Sequence, residues 1–409
     1  ISFFNIIIFE KRIGLAFIDQ IISSASNFIL IIFYARILGP KDFGEYSLVV
    51  FIGFLMVMFQ NSICGTVLSV NIQKYKINRY LYISYSVVKL LIILSLLGLL
   101  TLFLEWVNVL TFQFFTIMYI YIISIAIWDF MRKVLLATFN FKKLLALDFI
   151  YILSISIQLF IKENISMVDI FIYNTISYLF AIIVVLNVNI FYFHFDFKRS
   201  IVFIKRELKS MLHLTTSFTM QWFNSRIGYF VLATVTNGAN TIGIINGYIS
   251  IVGIFNPLLI FLDNYLLPKS SEIYYTKGLL ESKKFVINIL DKIFIALVFV
   301  SVLMVLFRSE IIGYVLGPEY LSHSNIIILL IIINLYTFKL KKYAYLINIL
   351  NIQYIFSKSH FLIFIYNLLS IYFVVYYFHV YGVVLLLLLN AVLMFVQIKY
   401  YTIRELKYA

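Results

Sequence analysis

Residues 283–308, KKFVINILDKIFIALVFVSVLMVLFR, show the pattern that decides the fold of this chain. Two lysines precede a long apolar run, 285–307, and a single arginine follows it. A helix that spans a bilayer needs about 20 predominantly apolar residues, so this run predicts a transmembrane helix. Its charges, Asp291 and Lys292, lie one or two turns inside the predicted span, near the basic end.

Similar apolar runs recur along the whole chain. We predict about twelve spans. The boundaries of the tenth are defined least sharply, together with the end of the fourth, where the helix can continue past Met131. They cover 13–34, 43–64, 81–104, 109–128, 144–161, 168–191, 211–235, 240–264, 285–307, 324–345, 360–378 and 382–401. The predicted fold class is therefore an all-α polytopic membrane protein.

The composition supports the same conclusion. The chain has 409 residues, of which 63% are hydrophobic and 12% are charged. Soluble domains carry about 45–50% apolar and about 25% charged residues, so lipid must cover the excess apolar surface. The net charge of +14 does not indicate a nucleic-acid partner, because the basic residues are scattered over many short connections.

Several kinds of chemistry have no signature in the sequence. Cys64 is the single cysteine, and the five histidines are far apart, so we expect neither a disulfide nor a metal site. Neither a G-x4-G-K-[ST] phosphate loop nor an H-E-x-x-H motif occurs. We therefore expect no cofactor and no enzymatic activity.

The positions of the basic residues predict the orientation of the chain. Of the 32 lysines and arginines, 25 fall in alternate connections, four fall in the intervening ones and three lie within spans. Because lysine and arginine accumulate in cytoplasmic loops, the 25 mark the cytoplasmic side. An even number of spans then places both termini in the cytoplasm.

The two halves of the chain resemble each other. The segments Gly39–Gly44 and 238–243 both read G-x4-G, and each follows the first predicted helix of its half. We therefore predict two six-helix bundles related by a parallel repeat, 1–191 and 211–409. An interfacial helix at 192–210 is predicted to join them on the cytoplasmic side.

The stretch 34–46, YARILGPKDFGEY, resembles the A-R-x-L-G-P-x-x-F-G-x-Y signature of O-antigen and polysaccharide flippases. That family belongs to the multidrug/oligosaccharidyl-lipid/polysaccharide exporter superfamily. Residues 243–268, 316–320 and 381–383 also resemble its eighth helix, its loop before the tenth helix and its entry to the last helix. Leu385 departs from the pattern, because a second glycine is expected there.

The resemblance implies a transporter with a central cavity that opens alternately to the two sides of the membrane. Its substrate would be an undecaprenyl-pyrophosphate-linked oligosaccharide, which it moves from the cytoplasmic to the periplasmic leaflet of the bacterial inner membrane. The implied partners are this lipid-linked substrate, membrane lipids, and the polymerase and chain-length regulator of the same pathway.

Two other functions compete with this interpretation. A drug/cation antiporter of the same superfamily fits the low charge and the acidic group in the first span. An O-antigen polymerase also has many spans, but such enzymes carry a large periplasmic loop. The longest outer connection here, 308–323, is short.

Polar residues within spans are the candidate site residues, because such groups normally face a cavity or a partner. Asp19 and Asp263 are candidates for proton or cation coupling. For Asp19 the alternative is a buried, hydrogen-bonded acid that pairs with a neighbouring helix. Arg226 is a candidate for binding phosphate, since a guanidinium pairs with two phosphate oxygens. An ion pair with Asp19 or Asp263 is its alternative.

The remaining candidates are assigned by their position on helix faces. Lys89 is a cavity candidate whose alternative is extension to the cytoplasmic interface. Pro257 is expected to kink the eighth span, and Gly39 and Gly44 to form a tight outer turn; these three are the hinge candidates. The other cavity candidates are Asn27, Asn224, Asn246 and Ser250.

Overall fold

The computed structural model describes residues 11–65, 68, 79–106, 112–138, 140–161, 165–185, 197–236, 238–350, 352 and 354–406. Within these ranges all regular structure is helical. The side chains of some helical residues, Asp263 among them, lie outside the described part of the chain. The predicted all-α class is confirmed, and the described part of every predicted span is helical or nearly so.

The first half of the described chain runs from the helix α1 into the helix α6. The bounds are α1 Lys11–Gln60, α2 Arg79–Trp106, α3 Phe112–Ala137, α4 Phe141–Ile161, α5 Met167–Val185 and α6 Phe197–Thr236. A π-helical segment, Asn61–Gly65, extends α1. The helix α3 continues past the predicted end of the fourth span to Ala137, as the sequence allowed, so Arg132 lies within a helix.

The second half continues with helices and two short 3₁₀ segments. Its helices are α7 Ala239–Val252, α8 Asn256–Lys277, α9 Leu279–Leu306, α10 Arg308–Val315, α11 Ile326–Ile349 and α12 Tyr354–Leu406. The 3₁₀ segments are Gly253–Phe255 and Pro318–His323.

Two long helices each contain two predicted spans. In α1 the break falls at Gly39, which has φ 68° and ψ 172°, followed by Pro40. Glycine tolerates a positive φ, and proline suits the first turn of the helix that follows. In α12 the break falls at His379, with φ 47° and ψ −120°. Both breaks lie between the predicted spans.

Six described segments are long and apolar enough to cross a bilayer by length and composition. They are 22–65, 141–161, 167–185, 239–259, 279–306 and 354–405. The first contains the break at Gly39 and the last contains the break at His379. Each of these two segments therefore accounts for two predicted spans.

The chain forms two compact units. The first comprises Ile1–Ser26 and Val49–Thr219, and the second comprises Asn27–Leu48 and Met220–Ala409. Residues 27–48 group with the second unit because their turn packs on the start of α7 and on the loop before α11. The predicted boundaries at 191 and 211 remain a prediction.

Each unit has its own packing. In the first, α4 and α3 both pack on α5, and the Tyr151 and Tyr178 rings stack at a centroid distance of 4.6 Å beside Trp128. In the second, α11 packs on α12 and on α9, and α8 packs on α9. These helix contacts position the polar side chains described next.

Candidate functional site

A buried cluster of two acids and one base lies in the first unit. Asp19 on α1 and Asp148 on α4 each have a carboxylate oxygen 3.0 Å from one terminal nitrogen of Arg132 on α3. The other terminal nitrogen of Arg132 donates to Ser23 Oγ at 3.1 Å. The guanidinium also lies 5.0 Å from the Trp128 ring centroid. The three helices thus bring one cation between two carboxylates.

This cluster has more negative than positive groups. Asp19 is 2% exposed and Asp148 is also buried. Asp19 Oδ1 and both carboxylate oxygens of Asp148 are buried and accept no hydrogen bond from the described residues, although Asp148 Oδ2 forms the ion pair with Arg132. A buried charge without a partner is costly, and here one guanidinium serves two carboxylates. Full ionisation of both carboxylates would therefore leave one buried negative charge without a positive partner.

Only part of this cluster was predictable from the sequence. Asp19 and Ser23 lie on one polar face of the first helix. Asp19 is buried and pairs with Arg132 of a neighbouring helix, which agrees with the alternative given for it, and its coupling role remains a prediction. Its partner Arg132 belongs to a stretch that the sequence places in a cytoplasmic connection. Farther along the same face, Ser26 donates to the Ile22 carbonyl and Asn27 is exposed.

Lys89 takes part in a second buried ion pair of the first unit. Its ammonium lies 3.4 Å from Glu207 Oε2 and donates to the Ile63 carbonyl oxygen at 2.8 Å. The Tyr82 hydroxyl donates to the other oxygen of Glu207. Ile63 belongs to the π-helical segment, whose irregular turn places this carbonyl within reach of Lys89.

This geometry gives Lys89 protein partners that the sequence did not predict. The residue is 6% exposed, so its ammonium is buried among protein groups. Glu207 lies in the predicted linker, and Ser62 Oγ is 2.8 Å from Thr215 Oγ1 on the same helix α6. Together these contacts attach α6 to the end of α1. A role for Lys89 in substrate binding remains a prediction.

Arg226 lines a cavity of about 220 Å³ within the second unit. Asn256 and Asn334 line the same cavity, and Asn334 Nδ2 donates to the Val252 carbonyl at 3.5 Å. The cavity lies beside the 3₁₀ segment between α7 and α8. The other lining residues are Ser225, Tyr229, Ile249, Val252, Gly253, Leu330, Ile333 and Leu387.

The polar residues of the seventh span have two kinds of environment: some line this cavity, and Asn224 contacts α12. Arg226 and Tyr229 both line the cavity. Asn224 instead donates to the His360 carbonyl at 3.0 Å. It also accepts hydrogen bonds from Asn367 at its side chain and from Asn390 at its backbone carbonyl. The face that carries Asn224 therefore holds α6 against α12.

The candidates on the eighth span are distributed differently from the prediction. Asn246 is buried, and Ser250 Oγ donates to the Asn246 carbonyl at 2.8 Å. Neither of these two described residues belongs to the lining of the Arg226 cavity. Pro257 is the second residue of α8, which begins directly after the 3₁₀ segment. Because proline cannot donate to the carbonyl four residues earlier, it accounts for this break. Its role as a hinge remains a prediction.

The two G-x4-G segments pack directly against each other. A Cβ atom added to Gly44 would lie 1.7 Å from the Ala239 carbonyl oxygen. One added to Gly243 would lie 1.7 Å from the Pro40 carbonyl oxygen. Only glycine permits such close approach of two backbones. The sequence predicted related turns but not that they contact each other.

A second contact joins the same turn to the loop before α11. The Tyr320 hydroxyl donates to the Ala35 carbonyl at 2.7 Å, and the Tyr248 hydroxyl donates to the Tyr320 carbonyl. Burial raises the pKa of Tyr320 above its usual value, and the nearby Glu319 raises it further, so the phenol remains a donor. Gly317 repeats the positive φ of Gly39 within the same Leu-Gly-Pro sequence.

No family model matches the sequence. No curated protein sequence matches it either. The fold has counterparts among solved structures. The lipid II flippase MurJ, in an inward closed conformation, matches with a TM-score of 0.69 at 13% identity. The match covers 95% of this chain and 86% of MurJ.

Multidrug transporters share the fold as well. An inward-facing multidrug resistance MATE family transporter of the MOP superfamily matches with a TM-score of 0.65 at 12% identity, covering 97% of this chain and 99% of that one. A point mutant of the Vibrio cholerae MATE transporter VcmN gives 0.63 at 12% identity, with coverage of 96% and 95%. The chain thus shares the fold of these solved transporters, and its long apolar helices support a multi-pass membrane protein.

Proposed function

We propose that the chain flips an undecaprenyl-pyrophosphate-linked oligosaccharide from the cytoplasmic to the periplasmic leaflet by alternating access. The repeat unit would be that of an O-antigen or a similar surface polysaccharide. The signature at 34–46 and the fold shared with a lipid II flippase support a lipid-linked substrate. The observation that carries the proposal is the position of Arg226 in a cavity that also contains amide groups.

The chemistry of this cavity suits part of a phosphorylated headgroup. A guanidinium binds two phosphate oxygens at once. Asn256, Asn334 and Ser225 offer hydrogen bonds to phosphate or sugar oxygens. Pockets for drug-sized ligands measure about 300–1,000 Å³. At about 220 Å³ this cavity is smaller, which favours a phosphate or part of a sugar over a whole drug molecule.

We further propose that the cluster of Asp19, Arg132 and Asp148 couples transport to a proton. Its two carboxylates share one guanidinium, so a single proton balances the charge. Such a site changes its net charge during transport without a cofactor. Asp263 remains the second coupling candidate from the sequence.

The proposed location is the bacterial inner membrane, with both termini in the cytoplasm. The distribution of lysine and arginine supports this orientation. Gly39, Gly44 and Pro257 are the proposed hinge residues, because they lie at backbone breaks or close helix contacts. The polymerase and chain-length regulator of the same pathway are the proposed protein partners.

Deletion of the gene in its native host tests the proposal. A flippase predicts completed lipid-linked repeat units retained on the cytoplasmic leaflet, together with loss of surface polymer. Expression of the full-length chain should restore the polymer. Single repeat units displayed at the surface would identify a polymerase instead, and that outcome would overturn the proposal.

A drug/cation antiporter is the second candidate function. The acidic cluster of the first unit and the fold shared with MATE transporters both favour it. The same deletion strain separates the two functions. Unchanged surface glycan with increased sensitivity to cationic drugs would support the antiporter and exclude the flippase.

A further inference from the structure

One face of α9 combines a basic half with an exposed apolar half. Lys284, Asn288 and Ile295 follow one another at spacings of four and seven residues, so they lie on the same helix face. Together with Lys283, Asp291 and Lys292 they line an open groove of about 680 Å³. Lys292 lies nine residues beyond Lys283, which is about 14 Å farther along the helix and about half a turn around it, so the two lysines lie on opposite sides of the groove.

The groove retains positive charge after its ion pairs are counted. Lys284 pairs with Glu281 at 3.0 Å on the exposed surface, and Asp291 pairs with Lys342 of α11. Among the described residues, Lys283 and Lys292 form no ion pair. The two ammonium groups are therefore available to an anion from outside the protein.

The same face continues as an apolar track. Ile295 is 71% exposed and Phe299 is 65% exposed, and the exposed residues Val302 and Leu306 follow at helical spacing. In a membrane protein such side chains contact acyl chains. The track begins where the basic groove ends, at Ile295, which belongs to both.

We propose that this face binds an anionic phospholipid. Its phosphate would lie between Lys283 and Lys292, and its acyl chains would follow Ile295, Phe299 and Leu306. Basic residues at a membrane surface attract anionic lipids, while a zwitterionic lipid adds a cationic group that the lysines repel. A lysine that serves only to orient the chain needs neither a second lysine across the same groove nor an adjoining apolar track.

Lipid binding by the purified full-length protein tests this proposal. We would reconstitute it in nanodiscs of phosphatidylcholine with spin-labelled phosphatidylglycerol and measure the motionally restricted lipid fraction. The double variant Lys283→Gln/Lys292→Gln should lower the relative affinity for phosphatidylglycerol by about 25-fold. This estimate follows because each lysine near an anionic surface contributes about a factor of five.

Two controls make the result decisive. Lys142→Gln/Lys143→Gln removes the same charge from α4, and Lys283→Arg/Lys292→Arg keeps the charge in place; both should bind phosphatidylglycerol as the wild type does. Equal affinity in the glutamine double variant would overturn the proposal. So would an equal loss in the α4 variant, or wild-type protein that binds labelled phosphatidylcholine as tightly. Since the readout is lipid binding, the result does not depend on what the chain transports.

Discussion

Gly44 and Gly243 occupy equivalent positions in the two G-x4-G segments, and each packs closely against a backbone carbonyl group of the other segment. The Gly44 face approaches Ala239, and the Gly243 face approaches Pro40. This reciprocity gives a physical reason for the repeated spacing, because a side chain at either position would force two backbones apart.

Gly44→Ala and Gly243→Ala should each destabilise the protein by about 1–3 kcal/mol or more, since the obstructing atoms belong to the backbone and cannot rotate away. Thermal unfolding of the purified variants in detergent measures the effect. Gly53→Ala is the matched control, because its added Cβ would have its nearest neighbours at 3.8 and 3.9 Å. Equal melting temperatures for Gly44→Ala and Gly53→Ala would contradict the prediction.

Lys89 and Glu207 should behave as a buried ion pair. Lys89→Met or Glu207→Gln alone should cost about 3–5 kcal/mol, because each leaves a buried group without its partner. The double variant should recover part of this loss, which a double-mutant cycle on unfolding free energies would measure. The exposed pair Glu281–Lys284 is the control, and its removal should cost less than about 1 kcal/mol. Additive losses at Lys89 and Glu207 would show that the pair is not coupled.

The acidic cluster should tolerate the loss of its cation only when an acid is also lost. Arg132→Met leaves two buried carboxylates without a positive partner and should lower the melting temperature sharply. Arg132→Met/Asp148→Asn should restore part of it. If the second variant unfolds as early as the first, repulsion between the two buried carboxylates is not the cause of the destabilisation.

The proposed coupling role makes a separate prediction about pH. Asp19→Asn and Asp148→Asn should each flatten the pH dependence of transport into proteoliposomes, because one titrating group of the shared pair is lost. Asp169→Asn is the control, since Asp169 interacts with Ser166 at the exposed start of α5. A wild-type pH profile in both cluster variants would exclude the cluster as the coupling site.

Arg226 should contribute to transport through its charge and its planar geometry. At equal expression, Arg226→Ala should reduce transport of a lipid-linked oligosaccharide more than Arg226→Lys, which keeps the charge but loses the bidentate contact. Asn334→Ala should have a smaller effect, because it removes a neutral donor from the cavity. Wild-type transport by Arg226→Ala would remove this residue from the proposed substrate site.

The sequence by itself determined the membrane class, the spans and the polar residues that lipid cannot accommodate. These follow from local quantities, the length of apolar runs and the cost of a charge in hydrocarbon. The same rule selected Asp19 and Arg226 without selecting their neighbours. The backbone chemistry of glycine and proline also predicted a tight turn at Gly39 and a kink at Pro257.

Only the tertiary structure decided which of these residues meet. Arg132 bonds to Asp19 across 113 positions of the chain, and Lys89 bonds to Glu207 across 118 positions. Helix periodicity predicts which face a residue occupies but not which helix packs on that face. Which residues become partners therefore depends on how the helices pack. Packing places Lys89 in a buried ion pair and Arg226 at the wall of a cavity.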